Sequence, residues 1–221
     1  MSAILAIATA TAQVSVAVSG PEGTAGALSL RAGRRHGETL APAIRSITSL
    51  AGVPLTSVDR IAVDTGPGLF TGLRVGVATA KALGAALEVP LVPSSSLDLL
   101  AHPHRHLGRP VASVVDARRG EVFWALYQPV DGGMAAVTDA AVSDPGRLAD
   151  ELSRIDGVLL TGDGARRYHT GGTLDVAPAE YDHPSASVLA DLAPSRPALP
   201  AEKVTPTYLR GADVRIGWEQ R

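Results

Sequence analysis

The segment from Asp64 to Lys81 contains the residues best suited to chemistry in this sequence of 221 amino acids. Gly66, Gly68 and Thr71 follow a predicted strand and precede a predicted helix, where backbone N–H groups can bind a phosphate or another anion. The segment is not a Walker A loop, because no Lys-Ser/Thr pair follows its last glycine, and its G-x-G-x-x-x-G spacing is too long for a dinucleotide fingerprint. Two interpretations stay open: an anion or nucleotide contact, or a tight turn that needs a glycine at positive φ.

The helix predicted after this loop carries a ridge of very small residues. Gly72, Gly76, Ala80 and Gly84 recur every four residues and therefore lie along one side of the helix. Each glycine within a helix costs about 1 kcal/mol relative to alanine, so the close approach of a neighbouring element is expected to offset that cost. The neighbour is either the sheet of the same lobe or another subunit.

A second amphipathic helix is predicted from Thr39 to Ala51, with Thr39 as its N-cap. Leu40, Ile44 and Ile47 form its apolar stripe, because they recur at helical spacing. We hypothesise that this helix and the glycine-bearing helix together form a surface for another subunit. The predicted interface residues are Leu40, Ile44, Ile47, Gly72, Gly76, Ala80, Lys81 and Gly84.

Neither a catalytic constellation nor a metal site is predicted. Histidines cluster within residues 102–106, but Pro103 disfavours a regular helix that would present two of them to one metal ion, and a surface loop is favoured. The charged segment from Asp116 to Glu121 is typical of a solvated hairpin turn with weak ion pairs. Asp64 is the best-placed single carboxylate, yet no partner base accompanies it.

The composition excludes several other classes of protein. The sequence has 20 Lys+Arg against 22 Asp+Glu, a net charge of -2, and this argues against a large basic face for nucleic acid. It has no cysteine, which excludes disulfides, thiolate zinc sites and cysteine nucleophiles. The N-terminus lacks the basic region of a signal peptide, and no long apolar run could span a membrane, so a cytoplasmic protein is expected.

Apolar periodicity predicts the elements that must position these residues. The first part of the chain is predicted to run βββαβα, with strands at 3–9, 13–19, 25–31 and 60–64, helices at 39–51 and 72–87, and a short strand at 89–92. After Pro93 the pattern begins again with a short helix at 96–101, a hairpin within 111–128, helices at 144–154 and 184–193, and a strand at 157–161. We therefore predict an α/β protein of two lobes, residues 1–95 and residues 96–221, each with a mixed sheet and helices and the second ending in a polar tail.

Several segments of the sequence resemble the TsaB (YeaZ) family, which serves the synthesis of N6-threonylcarbamoyladenosine at position 37 of tRNA. The glycine block around Phe70-Thr71-Gly72 is the most specific of them. The segments lie at residues 4–9, 61–81, 90–97, 115–122 and 206–210.

The resemblance implies an actin-like ATPase (ASKHA) fold of two lobes and no transferase activity in this chain alone. It implies pairing with TsaD, the subunit that transfers the threonylcarbamoyl group, and assembly with the ATPase TsaE. Family members also form homodimers through much the same helices of the first lobe. No cofactor is expected to bind independently, ATP or ADP and tRNA being expected only within the complex.

At key positions the sequence departs from the patterns of the family and of its catalytic paralogue TsaD, and these departures weaken the alternative hypotheses. The histidine pair that binds metal in TsaD falls at Ser96 and Leu100, and the acidic residue that usually ends the first strand is replaced by Ala8. These changes argue against the second hypothesis, that the chain is a catalytic actin-like carbamoyltransferase or ATPase. A third hypothesis is a protease acting on TsaD, but the sequence offers no Ser-His-Asp or metal constellation for it.

Overall fold

The computed structural model describes residues 3–168 and 174–209 of the chain. Its first three strands form an antiparallel meander: β1 (Ala3–Ala8), β2 (Gln13–Gly20) and β3 (Gly23–Arg31). Residues of β2 alternate between the two faces of the sheet, yet those on both faces are buried. Elements therefore have to cover this sheet on each side.

The remaining strands of the first sheet run parallel to β1 and are joined by helices. The chain continues through α1 (His36–Leu50), β4 (Val58–Asp64), α2 (Phe70–Leu87) and β5 (Leu91–Ser94). The strand order is β3-β2-β1-β4-β5, so β1 pairs with β4 although two strands and a helix separate them along the chain. The predicted βββαβα order is confirmed.

The predicted start of α1 was wrong by three residues. The helix begins at His36, whose ring Nε2 lies 2.7 Å from the Thr11 carbonyl oxygen in a buried hydrogen bond. Thr39, the predicted N-cap, lies within the first turn and donates its hydroxyl to the Arg35 carbonyl oxygen at 2.7 Å. A contact with the β1–β2 turn, rather than a local side-chain cap, therefore fixes this end of the helix.

A second sheet and its helices follow the first along the chain. The elements are α3 (Ser96–Ala101), β6 (Val111–Arg118), β7 (Glu121–Val130), β8 (Gly133–Ala136), β9 (Ala141–Ser143), α4 (Pro145–Leu152), β10 (Leu159–Thr161), α5 (Asp163–Tyr168), β11 (Asp175–Val176) and α6 (Ala186–Leu192). The strand order of this sheet is β11-β10-β6-β7-β8, with β9 also paired to β7. Its hairpin and its two longer helices were predicted, whereas β8, β9, β11 and α5 were not.

The two faces of the first sheet are covered by different parts of the chain. α1 and α2 cover one face, where Leu40, Ile44 and Val77 join a core with Val14 and Val16. α6, from the C-terminal half, packs on the other face. A lobe boundary after residue 95 stays a prediction.

The C-terminal part of the description ends in a segment that returns to the first sheet. Leu199 forms an antiparallel bridge with Leu91 of β5, and Val204 is buried in the core of the first sheet. Arg210 and the predicted polar tail lie outside the described residues. No helix in the described ranges is long and apolar enough to cross a membrane.

Candidate partner interface

The glycine ridge of α2 packs against this chain's own first sheet. A Cβ atom at Gly72 would clash with the Thr9 carbonyl oxygen, and one at Gly76 would clash with Thr9 Oγ1. A Cβ atom at Gly84 would clash with Leu91 Cδ1. Thr9 also donates its hydroxyl to the Gly72 carbonyl oxygen at 2.8 Å, which fixes the helix to the end of β1. The ridge is therefore explained by close approach to the neighbouring strands, the first of the two alternatives left open by the sequence.

The apolar stripe of α1 is covered in the same way. Leu40, Ile44 and Ile47 are at most 5% exposed and pack into the core of the first sheet, as does Ala80 of α2. Lys81 is half-buried and donates its ammonium to the Val204 carbonyl oxygen at 3.2 Å. The structure thus places these side chains against their own chain, and their contact with a partner stays a prediction. The hypothesis that the helix pair binds another subunit stays a prediction.

The opposite sides of α1 and α2 are exposed and composed mainly of small residues. We call this surface the helix-pair face, and it consists of Ala41, Arg45, Ser46, Ser49, Arg74, Ala78, Ala82 and Ala85. Small side chains let the axis of a partner helix approach closely. Sequence reasoning overlooked these residues, although they are the positions that remain once the apolar and glycine stripes are assigned to the interior.

Asp64 lies at the end of β4, fully buried beneath the loop that leads to α2. Its Oδ1 accepts hydrogen bonds from the Gly66 amide at 2.9 Å and from the Ser96 hydroxyl at 2.6 Å. Its Oδ2 and the neighbouring Ser94 hydroxyl are buried without a hydrogen-bond partner in the described residues. Burial raises the pKa of Asp64 from 3.8 to about 6, against the opposing effect of these hydrogen bonds. The carboxylate thus ties the loop to the start of α3.

This arrangement bears on the predicted anion contact. Gly66 has φ +99° and gives its amide to Asp64, as the tight-turn interpretation requires. Gly68 lies against the Ala10 carbonyl oxygen, which also accepts the Leu69 amide at 2.6 Å. Thr71 is exposed in the first turn of α2. The geometry favours the turn at Gly66, and an anion contact at Gly68 or Thr71 stays a prediction.

The residues at the positions of the TsaD metal pair do not fit a metal ion. Ser96 is fully buried and its hydroxyl is used by Asp64, while Leu100 has no donor atom and packs in the core of the second sheet. Of the clustered histidines, His104 is buried, with its Nε2 3.1 Å from the Thr161 hydroxyl. Within residues 3–168 and 174–209, no group of three histidine or acidic side chains is arranged to hold a metal.

Asp116, at the start of the hairpin turn, is less solvated than its sequence indicated. Asp116 is only 3% exposed and its carboxylate accepts from the Arg118 amide at 2.8 Å and from the Tyr168 hydroxyl at 3.2 Å. The Asp116 amide in turn donates to Asp163 at 3.0 Å. Burial raises the pKa of Asp163 to about 6. α5, which the sequence did not reveal, supplies both Tyr168 and Asp163 and shields Asp116 from water, whereas residues 118–120 of the turn are exposed.

Replacing Asp64 with asparagine is expected to remove a pH dependence of stability between about pH 4 and pH 6. The folded protein holds the Asp64 proton more tightly than the unfolded chain does. The resulting stabilisation is fully present below pH 3.8 and is lost as the pH rises through about 6. The free energy of unfolding of the wild type, relative to Asp64→Asn, should therefore fall by about 3 kcal/mol across this range.

Urea unfolding of both proteins at several pH values between 3.5 and 7.5 would measure this difference. Asp150→Asn is the control, because it removes an exposed carboxylate and reports the effect of charge alone. Parallel stability curves for the wild type and Asp64→Asn would contradict the expectation.

Comparison with known proteins shows which family and which solved structures this chain resembles. The family model of TsaD, tRNA N6-adenosine threonylcarbamoyltransferase, matches residues 17–180. The tRNA threonylcarbamoyladenosine biosynthesis protein TsaB of Escherichia coli is 33% identical over 161 residues, which are 72% of this chain and 69% of that protein. The solved structure of YeaZ from Pseudomonas aeruginosa superimposes with a TM-score of 0.81 at 31% identity, covering 95% of this chain and 100% of that chain.

A more distant solved structure bears on the fold alone. The ethanolamine utilization protein EutJ from Carboxydothermus hydrogenoformans superimposes with a TM-score of 0.51 at 13% identity, covering 86% of this chain and 89% of that chain. With the two mixed sheets and their helices, this likeness confirms the actin-like ATPase fold expected from the sequence.

Proposed function

Because this chain belongs to the TsaB family of tRNA threonylcarbamoyladenosine biosynthesis proteins, we propose that it acts as a non-catalytic partner subunit in that pathway. Its partner is TsaD, the subunit that transfers the threonylcarbamoyl group to adenosine. The observation that carries the proposal is the helix-pair face: two adjacent helices present an exposed surface of mainly small residues. Such a surface can pack closely against helices of a second subunit with a related fold.

The chemistry of the buried residues favours a partner subunit over a catalytic one. Asp64, the best-placed carboxylate, is fully buried and is occupied in holding its own loop. Ser96 and Leu100 cannot replace the metal-binding pair of TsaD. Ala8 offers no carboxylate at the end of β1 to manage a nucleotide-bound metal. The reacting groups are therefore supplied by TsaD.

The proposal also assigns roles to the other members of the complex. TsaE joins as the ATPase, and ATP or ADP binds only within the complex. Transfer RNA contacts this chain only as part of that complex, since a net charge of -2 does not favour binding by the chain alone. A homodimer through the same helices is the competing association, and the place of action is the cytoplasm.

Reconstitution of tRNA modification tests the proposal. Purified TsaD and TsaE are incubated with tRNA and a threonylcarbamoyl donor, with and without this chain, and modified adenosine is measured by mass spectrometry of the digested tRNA. We expect modification only when this chain and TsaD are both present, and none with this chain in the absence of TsaD. Modification by this chain without TsaD would contradict the non-catalytic role, and undiminished modification without this chain would contradict the partner role.

A further inference from the structure

Phe70, Arg74 and Tyr208 form an exposed cluster at the N-terminal end of α2. The rings of Phe70 and Tyr208 lie 5.4 Å apart between centroids. The Arg74 guanidinium lies 3.7 Å above the centre of the Phe70 ring, and its Nε donates to the Tyr208 hydroxyl at 3.1 Å. Phe70 and Tyr208 are nevertheless 48% and 46% exposed. Each member of the cluster thus restrains the other two while leaving much of its surface open to a partner.

The cluster is assembled from distant parts of the chain, because Tyr208 lies 134 positions after Arg74. The segment from Leu199 to Tyr208, which we call the return strap, brings it there. The strap is fixed by hydrogen bonds of Leu199 with Leu91 and by the Thr207 amide, which donates to the Thr65 carbonyl oxygen at 2.7 Å. The cluster is therefore ordered before any partner arrives, which reduces the entropy lost on binding.

The composition of the cluster is that of a binding hot spot. Aromatic residues are scarce in this sequence, with only two Phe, four Tyr and two Trp. Among the described residues, Phe70 and Tyr208 are the two aromatic side chains with large exposed apolar surface. Tyrosine and arginine are enriched where interfaces concentrate their binding energy. Arg74 belongs to the helix-pair face, so the cluster continues that face at one end.

The charges of the two helices indicate the kind of partner. The exposed charged side chains of α1 and α2 are the basic Arg45 and Arg74, both on the helix-pair face, and the acidic Glu38, which lies outside that face. No carboxylate of the described residues lies within ion-pair distance of Arg74. The guanidinium has further N–H donors beyond the one given to Tyr208. A second copy of this chain would bring like charge to this face, whereas a different subunit with an acidic contact would complement it.

We propose that Phe70, Arg74 and Tyr208 are the anchor by which the helix-pair face holds the TsaD subunit, with a TsaD carboxylate bound to the Arg74 guanidinium. This inference rests on the proposed function. It also makes the return strap part of the interface, because the strap supplies Tyr208.

Binding of purified TsaD to the full chain, measured by isothermal titration calorimetry, tests the anchor. Phe70→Ala and Arg74→Ala are each expected to weaken binding about tenfold or more, and Arg74→Glu about a hundredfold. Tyr208→Phe keeps the ring and removes only the hydroxyl, so it should weaken binding about threefold, less than Tyr208→Ala. Leu107→Ala is the control, since Leu107 is 54% exposed outside the helix-pair face and should leave affinity unchanged. Thermal unfolding of each variant verifies that it is folded.

The outcomes separate this inference from the proposed function. If Ala82→Glu on the helix-pair face abolishes binding while folded anchor variants bind TsaD within twofold of the wild type, the anchor is wrong and the partner role stands. If the wild-type chain does not bind TsaD at all, the proposed function fails first. If light scattering shows that Arg74→Glu dissociates a dimer of this chain while TsaD binding is intact, the cluster serves a second copy and the inference is overturned.

Discussion

Gly72→Ala destabilises the protein by about 3 kcal/mol in our expectation, although alanine is the better helix former by about 1 kcal/mol. The reason is the close approach of α2 to the end of β1, where a Cβ atom at Gly72 would clash with the Thr9 carbonyl oxygen. The backbone oxygen of Thr9, a buried residue directly after β1, cannot move away as the end of a flexible side chain can. For a protein of this size the melting temperature should fall by about 6–12 °C.

Gly37→Ala is the matched control. Gly37 lies near the start of α1, and a Cβ atom there would meet nothing within 4 Å. This variant should be as stable as the wild type or more stable by up to about 1 kcal/mol. Urea unfolding would measure both variants, and equal stability of Gly72→Ala and Gly37→Ala would contradict the packing described for α2.

Gly76 provides a second test of the close contact between α2 and Thr9. A Cβ atom at Gly76 would clash with Thr9 Oγ1, a side-chain atom that can be removed. Gly76→Ala combined with Thr9→Ala should therefore be less destabilised than the sum of the two single variants, with a coupling of about 1 kcal/mol or more. Strict additivity would show that the two residues do not press on each other.

Ala82→Glu is expected to lower the affinity for TsaD by about a hundredfold or more and to reduce tRNA modification to the level seen without this chain. Ala82 lies in the middle of the exposed side of α2, between Ala78 and Ala85. A glutamate at this position would hold the partner helix away and would have to be desolvated in a closely packed contact. Because the side chain is exposed in the free chain, the melting temperature should stay within a few degrees of the wild type.

The control for this prediction is Ala140→Glu, the same substitution at an exposed position in the connection between β8 and β9. It should leave both TsaD binding and tRNA modification intact. Calorimetric titration and the reconstituted modification reaction would measure the two effects. Full activity of Ala82→Glu with unchanged affinity would remove the helix-pair face from the proposed function.

The sequence determined the order of elements in the first part of the chain. The alternation of Val14, Val16 and Val18 specified a strand, and the spacing of Leu40, Ile44 and Ile47 specified a helix, because these periodicities follow from the local geometry of the backbone. The family resemblance rested on segments of the same kind, short and contiguous. The glycine ridge also predicted correctly that α2 has a very close neighbour.

The tertiary structure alone decided what that neighbour is. Gly72 and Gly76 would show the same spacing whether they met Thr9 or another subunit, so no local pattern could distinguish the two. Three further features could not be predicted from the sequence: the burial of Asp64, the packing of α6 on the first sheet, and the position of Tyr208 beside Arg74. Each depends on residues far apart in the chain, and their meeting is set by how whole elements pack rather than by the period of any one of them.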